Sequence, residues 1–250
     1  MKIMLITVIT LFPSAFPGIL AYSIPGKQLG KLWDLKTINI RDYSDNKWQR
    51  VDDTPYGGGA GMVIKPNIIH DALTSALNNY PGKPPAITYM TPRGQLFNNV
   101  VARKLAKNDG LIILCGRYEG IDQRVIDYWK IHHNMEEISI GDYVLFGGEV
   151  ASMVVIESVL RFVPNMMHNH TSPENESFEV RDINGTQVDL LEYPQYTKPA
   201  IWHDYSVPSV LLSGNHLEIA KWQIEQSTQI TKTVRPDLWN SYNCKKRYEQ

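Results

Sequence analysis

Residues 111 to 122 read Leu-Ile-Ile-Leu-Cys-Gly-Arg-Tyr-Glu-Gly-Ile-Asp, and residues 137 to 149 read Glu-Ile-Ser-Ile-Gly-Asp-Tyr-Val-Leu-Phe-Gly-Gly-Glu. Each stretch begins with a short apolar run that stops at a glycine and passes directly into charged residues. This pattern is typical of buried strands whose carboxyl ends open into loops. Because ligands of open α/β sheets bind at such ends, two loops in succession indicate one shared pocket. The alternative is a pair of glycine-capped turns that carry a surface ion-pair network.

The rest of the chain favours an α/β fold. Apolar runs predict strands at 3–12, 35–40, 86–90, 111–115 and 138–140, and apolar spacings of three and four predict helices at 66–77, 98–107, 149–162 and 215–227. Strand, loop and helix alternate, which indicates a sheet of parallel strands. Residues 51–61 hold too many glycines and aspartates for regular structure. We interpret them as a loop, which either covers a ligand or partner or is a surface excursion.

Composition narrows the classes of protein to which this chain can belong. The 250 residues are 43% hydrophobic and 20% charged, as in ordinary globular proteins, and could form one large domain or two. A polar stretch with little periodicity begins at residue 165, so we predict a first domain at 1–164, a flexible linker at 165–192 and a helical domain at 193–250. Two distant cysteines suit a reducing compartment, and no apolar stretch approaches the ~20 residues of a membrane helix. We therefore expect a cytoplasmic protein without a membrane segment.

The charge distribution is weak evidence about nucleic acid. A net charge of −1 argues against a strongly basic nucleic-acid binder, although it permits a local basic patch. From residue 193 to residue 250 there are seven Lys and Arg and five Asp and Glu, a balance of +2. Composition alone leaves RNA binding open.

Longer motifs point to a family. The stretches at 115–122 and 139–149 resemble the bacterial tRNA (guanine-N1)-methyltransferases, SPOUT-superfamily enzymes that modify guanosine 37, and shorter matches lie at 10–13, 52–62 and 213–216. The resemblance implies an α/β parallel sheet with a deep trefoil knot, plus a small helical C-terminal domain that binds tRNA. It also implies a homodimer, in which the linker and C-terminal domain of one subunit complete the active site of the other.

The same resemblance implies S-adenosylmethionine as the methyl donor and a dependence on magnesium. It assigns to the cofactor Tyr89, Thr91, Pro92, Gly94, Cys115, Gly116, Arg117, Tyr118, Glu119, Ser139, Ile140, Gly141, Tyr143, Leu145, Gly147 and Gly148. To the substrate we assign Asp52, Gly58, Glu192, Ser213, Asn215 and His216. Glu119 matches a glutamate tied to the magnesium dependence of the family, but the sequence leaves the metal site unknown.

Two residues are predicted to be catalytic. Arg161 matches the arginine thought to place the guanine and to stabilise negative charge on its O6, although a helix-capping role is the alternative. The family usually has Asp-Ser-Phe where this chain has Glu176-Ser177-Phe178, with the aspartate as general base. The family also usually has Leu-Leu-Asp where this chain has Leu190-Leu191-Glu192, and the segment 179–189 is longer than usual. We predict Glu176 as the general base, with Glu192 as its rival.

Three other functions remain as alternatives. A non-catalytic RNA-binding module would need the basic and aromatic C-terminal part but not the two glycine loops. A SPOUT methyltransferase with another RNA target would share the motifs. A dinucleotide-dependent oxidoreductase would need a glycine fingerprint after its first strand, and Thr10-Leu11-Phe12-Pro13 is not one.

Overall fold

The computed structural model of the protein describes residues 3–167, 176–183 and 186–240. The chain forms two compact units, residues 1–168 and residues 169–250. The strands of the first unit are β1 (Met4–Thr10), β2 (Trp33–Asn39), β3 (Asp52–Asp53), β4 (Val63–Ile64), β5 (Ala86–Leu96), β6 (Gly110–Cys115) and β7 (Glu136–Ser139). Its helices are α1 (Ser23–Gln28), α2 (Pro66–Asn78), α3 (Asn99–Ala106), α4 (Gln123–His133) and α5 (Gly148–Leu160), and three short 3-10 turns lie at Pro13–Ala15, Gly18–Ala21 and Ile40–Tyr43.

Five of these strands form one parallel sheet in the order β2-β1-β6-β5-β7. The central strand, β6, is buried along its whole length. On one face of the sheet Ile112 and Leu114 pack with residues of α2 and α4, and on the other face Leu111 and Ile113 pack with residues of α3 and α5. A parallel sheet covered by helices on both faces needs continuous apolar strands, which is why β6 is apolar throughout. The predicted α/β parallel sheet is confirmed, and the trefoil knot stays a prediction.

Local sequence signals explain where the helices begin and end. Pro66 opens α2, where its missing N–H costs nothing. The side chain of Asn98 accepts a hydrogen bond from the Val101 backbone at the start of α3, and that of Asp122 accepts one from Arg124 at the start of α4. Asn134 ends α4 in the left-handed conformation, a common helix stop.

No helix among the described residues combines the length and the apolar character that crossing a membrane requires.

Strand β5 is longer than the sequence predicts. Instead of ending at Met90 it continues to Leu96, and its pairing with β7 shifts because Met90 and Gln95 both lie opposite Ile138. The segment 91–94, which follows the predicted end of the strand, is therefore an excursion within a strand that pairs with the same neighbour on both sides of it. Pairing with β7 is a tertiary interaction that local breakers such as Pro92 do not reveal.

The loop predicted at 51–61 has paired ends. Strands β3 and β4 pair in antiparallel fashion, with Asp52 opposite Ile64 and Asp53 opposite Val63. The glycines at 57, 58, 59 and 61 lie between these strands, all with positive φ. The segment is thus closed at its base by two residue pairs and remains irregular at its tip.

The second unit contains β8 (Glu179–Ile183) and β9 (Thr186–Leu190), an antiparallel pair, then β10 (Ile201–Trp202), β11 (Tyr205–Ser206), α6 (Ser209–Leu212) and α7 (His216–Val234). The polar segment predicted to be a linker thus carries a hairpin, because strand pairing uses backbone groups that a polar sequence supplies equally well. Helix α7 begins after Asn215, as predicted, and extends seven residues beyond the predicted end at Ser227. The limits of the domains stay a prediction.

The buried sheet is expected to dominate stability. Replacing Ile113 by Ala in β6 leaves a cavity between the sheet and α5, so we expect the free energy of unfolding to fall by about 2–5 kcal/mol. The matched control is Ile131→Ala on α4, where the side chain is 75% exposed and the expected change is within about 0.5 kcal/mol. Urea denaturation of both variants at one protein concentration measures the difference. Equal losses would contradict the assignment of β6 to the core.

Candidate functional site

A cavity of about 1140 Å³ opens at the carboxyl ends of β5, β6 and β7. Its walls come from the excursion in β5, from the loop that follows β6, from the loop between β7 and α5, and from the two ends of the β3–β4 segment. All of these lie in the first unit. The two sequence stretches that predicted a shared pocket therefore do meet in one cavity.

Most residues that the sequence assigned to a cofactor line this cavity. They are Tyr89, Thr91, Pro92, Gly116, Arg117, Tyr118, Glu119, Ser139, Ile140, Gly141, Tyr143, Leu145, Gly147 and Gly148. Gly94 and Cys115 lie outside the lining. An added Cβ at Gly94 would overlap the backbone nitrogen of Ile138, so this glycine allows β5 to approach β7.

Cys115 lies beneath the cavity as the last residue of β6 and is fully buried. Burial, and secondarily the charge of Glu149, raise the pKa of its thiol far above the ordinary range. A thiol held in its protonated form is a poor nucleophile. The environment of Cys115 therefore suits packing under the cavity floor.

Glycines bring the cavity walls together. The Gly148 backbone donates a hydrogen bond of 3.0 Å to the Gly116 carbonyl, and an added Cβ at Gly148 would lie 2.9 Å from the Cα atom of Cys115. Gly141 has a φ of +149°, and an added Cβ would lie 2.6 Å from the Cε1 atom of Tyr143. Such backbone conformations and close approaches are available to glycine alone. The loops can thus present backbone N–H and C=O groups directly to a ligand.

The aromatic ring of Tyr89 forms part of the cavity wall and is almost fully buried. Burial is the main cause that raises the pKa of its phenol, with the nearby Arg93 acting in the opposite direction. The phenol is therefore neutral at physiological pH and can donate a hydrogen bond. An added Cβ at Gly116 would lie 3.0 Å from the Tyr89 hydroxyl, so the glycine leaves this ring its space.

An ion pair lies in the wall beside the two glycine loops. The Nε atom of Arg117 donates to Glu149 at 2.9 Å, and one of its terminal nitrogens donates to the Phe146 carbonyl at 3.3 Å. The other carboxylate oxygen of Glu149 accepts a hydrogen bond of 2.7 Å from the Thr10 hydroxyl. This network gives the short motif at 10–13 a structural role, because Thr10 at the end of β1 contacts the Glu149 that follows the second glycine loop.

Comparison with known proteins supports the same conclusion as the motifs. A family model described as tRNA (Guanine-1)-methyltransferase TrmD matches residues 4–241. The chain belongs to this family. Proteins named tRNA (guanine-N(1)-)-methyltransferase are its relatives. The one from Cereibacter sphaeroides is 44% identical over 238 residues, spanning 94% of this chain and 91% of that protein. Those from Roseobacter denitrificans and Wolbachia pipientis are 46% and 47% identical and span 95% and 94% of this chain, and 94% and 97% of their own lengths. The predicted family, and with it the class of methyltransferase, is confirmed.

The family motif at 52–62 contacts the loop after β6. The backbone of Glu119 donates to the Met62 carbonyl at 3.0 Å, and an added Cβ at Gly61 would lie 2.5 Å from a side-chain carbon of Glu119. Asp52 lies in β3 with its carboxylate 4.0 Å from Arg50, and Gly58 lies at the open tip, with nothing within 4 Å of an added Cβ. Neither Asp52 nor Gly58 lines the cavity, whereas the adjacent Asp53 does.

The position of Glu119 bears on the magnesium prediction. Glu119 lines the cavity, next to Gly61 of the β3–β4 segment. Among the described residues, no three His, Cys, Asp or Glu side chains gather in a group that could hold a metal ion. Mg²⁺ is often bound through one or two carboxylates together with substrate oxygens and water. The metal therefore stays a prediction.

The remaining predicted residues are not among those that line the cavity. Arg161 directly follows α5 as its capping residue, with its backbone N–H bonded to the Glu157 carbonyl. Asn215 and His216 lie at the start of α7, and the Ser213 hydroxyl accepts a hydrogen bond of 3.1 Å from the Asn215 backbone. The 213–216 motif thus lies at the N-terminus of α7 in the second unit, where the Asn215 side chain accepts a hydrogen bond from the Glu218 backbone.

The two rival carboxylates of the second unit lie on neighbouring segments. The backbone of Glu192 donates a hydrogen bond of 2.9 Å to the hydroxyl of Ser177, which directly follows Glu176. The backbone of Phe178 donates to the Leu190 carbonyl at 3.0 Å. The Leu190 side chain is buried, and the next backbone N–H, that of Leu191, donates to the Thr231 hydroxyl of α7 at 2.9 Å. The β8–β9 hairpin therefore brings the two departures from the family pattern together.

Several cavity residues were absent from the sequence prediction. Phe146, which is 97% exposed, lies inside the quoted motif between two assigned residues. Asp53, Arg93, Asp122 and Arg124 add charged groups to the lining. Asp53 and Asp122 lie within the quoted motifs, Arg93 lies between two assigned residues, and Arg124 lies two residues after Asp122, so the motifs were the available signal. Which side of a loop faces a cavity depends on tertiary contacts that the motif alone does not encode.

Proposed function

We propose that this protein transfers the methyl group of S-adenosylmethionine to N1 of guanosine 37 in tRNA. The observation that carries the proposal is the cavity at the carboxyl edge of the parallel sheet, lined by the loops that hold the family motifs. A non-catalytic RNA-binding module would have no use for a glycine-lined cavity of this volume. A methyltransferase with another RNA target would share the cavity, so the choice of nucleotide must be tested directly.

The cavity residues fit the proposed cofactor. A cavity of about 1140 Å³ has room for a nucleoside with an amino-acid chain. Gly141 and Gly148 leave backbone groups uncovered at its walls, and Tyr143 and Leu145 supply apolar surface for an adenine ring. When bound, S-adenosylmethionine supplies an electrophilic methyl carbon on a sulfonium sulfur. The residues of this chain then have to orient the cofactor and the guanine and to remove a proton.

Removal of that proton requires a base, because guanine N1 carries hydrogen at neutral pH. Glu176 takes this role in the proposal, accepting the N1 proton as the new bond to carbon forms. Arg161 stabilises the negative charge that develops on O6. The proximity of Ser177 to the Glu192 backbone supports a shared location for both candidate bases and keeps Glu192 as the rival.

A homodimer is the proposed assembly. Three exposed apolar residues support this assembly: Val150 and Val154 on α5, and Ile19 in the 3-10 turn Gly18–Ala21. Helix α5 contacts that turn through Met153, which lies next to Gly18. Exposed apolar side chains that lie close together on one surface favour association with another protein surface. In the proposal this surface packs against a second copy of the chain. Magnesium dependence and a cytoplasmic location remain predictions.

The cofactor assignment is tested at Gly141. Replacing Gly141 by Val forces a branched side chain into a left-handed backbone and onto Tyr143, so the affinity for S-adenosylhomocysteine should fall at least about tenfold, or about 1.4 kcal/mol. Gly30→Val is the control, since Gly30 also has a positive φ but an added Cβ meets nothing within 4 Å. Calorimetric titration measures binding, with circular dichroism to verify folding. Wild-type affinity in the Gly141 variant would refute the cofactor site.

The general base is tested with tRNA transcripts. Glu176→Gln preserves size but cannot take the proton, so single-turnover methylation of a guanosine-37 transcript should fall by about 10²-fold or more, while affinity for S-adenosylhomocysteine is unchanged. Glu192→Gln is the matched comparison. A transcript with adenosine at position 37 should receive no methyl group from the wild type. A near-normal rate for Glu176→Gln, with a large loss for Glu192→Gln, would reassign the base.

The assembly is tested on α5. Val150 is 59% exposed, and Val150→Glu places a charge on the proposed interface, so sedimentation equilibrium should show monomers at micromolar concentrations where the wild type is dimeric. Val100→Glu on α3, where the side chain is 74% exposed, should leave the dimer intact. A monomeric wild type with full methylation activity would refute the dimer.

A further inference from the structure

The ion pair of Arg117 and Glu149 has one buried member and one member that faces the cavity. The Glu149 side chain is 4% exposed, whereas that of Arg117 is 27% exposed and lines the cavity. A buried carboxylate is costly unless it is paired and hydrogen-bonded. Both of its oxygens are occupied, one by Arg117 at 2.9 Å and the other by the Thr10 hydroxyl at 2.7 Å. The carboxylate thus lies behind the cavity wall, with the guanidinium in front of it.

Two further contacts fix the guanidinium. Its central carbon, Cζ, lies 4.4 Å from the centre of the Phe12 ring, and one terminal nitrogen donates to the Phe146 carbonyl. Thr10 also accepts a hydrogen bond of 2.9 Å from the backbone of Phe12, so the same threonine positions both the carboxylate and the ring. Arg117 is therefore held at one place in the wall rather than free to swing into solvent.

The charges of the cavity lining balance when Glu149 is added to them. Its lining has four cationic residues (Lys65, Arg93, Arg117 and Arg124) and three anionic residues (Asp53, Glu119 and Asp122). Two of these cations already have anionic partners in the lining, since Lys65 pairs with Asp53 and Arg124 with Asp122. The lining alone has a surplus of one positive charge, and Glu149 behind it brings the count to four of each sign. A surplus cation would oppose the binding of a cationic ligand.

We propose that Glu149, positioned by Thr10, neutralises Arg117 so that the cavity accepts the positively charged sulfonium of the methyl donor. This inference rests on the proposed function, in which S-adenosylmethionine binds the cavity. It assigns Glu149 and Thr10 as positioning residues that act through Arg117. The sulfonium becomes a neutral thioether once the methyl group has left, so the product S-adenosylhomocysteine lacks the charge that the pair accommodates.

The two ligands therefore separate an electrostatic role from a structural one. They differ only by a methyl group and one positive charge, and a distorted pocket should weaken both alike. Over separations on the order of 10 Å, with an effective dielectric constant near 20, one uncompensated unit charge changes an equilibrium constant roughly tenfold. The ratio of the two affinities is the quantity to measure, and each variant provides its own reference through the product.

Two substitutions should change this ratio in opposite directions. Glu149→Gln leaves Arg117 uncompensated, so the affinity for S-adenosylmethionine relative to S-adenosylhomocysteine should fall roughly tenfold. Arg117→Gln leaves Glu149 uncompensated, so the same ratio should rise by a comparable factor. Both affinities are measured by calorimetry at pH 8 and low salt, with circular dichroism to verify folding. If Glu149→Gln does not fold, the direction in which the affinity ratio changes in Arg117→Gln still tests the inference.

Two controls complete the experiment. Glu136→Gln removes the anionic member of a surface pair with Lys104, outside the cavity lining, and should leave the ratio unchanged. Thr10→Ser keeps the hydroxyl and should retain the wild-type ratio, whereas Thr10→Val should lower it. A ratio that stays constant in Glu149→Gln and Arg117→Gln, whatever happens to the absolute affinities, overturns the inference. Absence of binding of both ligands to the wild type would instead overturn the proposed function.

Discussion

The hydrogen bond from the Gly148 backbone to the Gly116 carbonyl is the contact on which the cavity depends. It joins the end of β6 to the first turn of α5, two points 32 residues apart in the sequence. An added Cβ at Gly148 would overlap the Cα atom of Cys115, and one at Gly116 would crowd the Tyr89 ring, so glycine at both positions lets the two loops approach this closely. Once it forms, the loops after β6 and β7 must face each other. The ion pair of Arg117 and Glu149 then lies directly beside it.

The sequence predicted the parts of the fold that follow from local periodicity. The helices at 66–77, 98–107 and 149–162 and the strands at 111–115 and 138–140 all occur, with ends shifted by a few residues. It could not predict that β5 passes through Pro92 and pairs again with β7 beyond it, because that pairing is decided by a strand over 40 residues away. The β8–β9 hairpin was missed for a different reason, because its two strands are neighbours in the sequence. Its polar sequence carries no strong period, and its end is held by Leu190 and by contact with α7.

The candidate site was predictable where backbone chemistry defines it. Glycines at strand ends are visible in a sequence, and the cavity is found where they are. Charged side chains are different, because their partners lie far away in the chain. Nothing in the segment 139–149 indicates that Glu149 is buried, since that depends on Thr10, 139 residues earlier. Glu176 and Glu192 present the same difficulty, because the bond that brings their segments together joins residues 15 apart across a hairpin.

The cavity lining, like the chain as a whole, carries nearly equal numbers of positive and negative charges. Arg124 is bound through two nitrogens to Asp122, and Lys65 lies 3.4 Å from Asp53, so the cations that line the cavity are largely compensated. Attraction of the RNA backbone by uncompensated charge, the usual source of affinity for nucleic acid, is therefore weak at this edge. On the proposed function, the pocket holds a cationic sulfonium next to an anionic tRNA. A lining of balanced charge suits both ligands, because it neither repels the cation nor attracts the RNA backbone without regard to sequence. On the proposed function, the selection of tRNA then depends on shape and on specific contacts, and the second unit and the proposed partner subunit are the surfaces left to supply them.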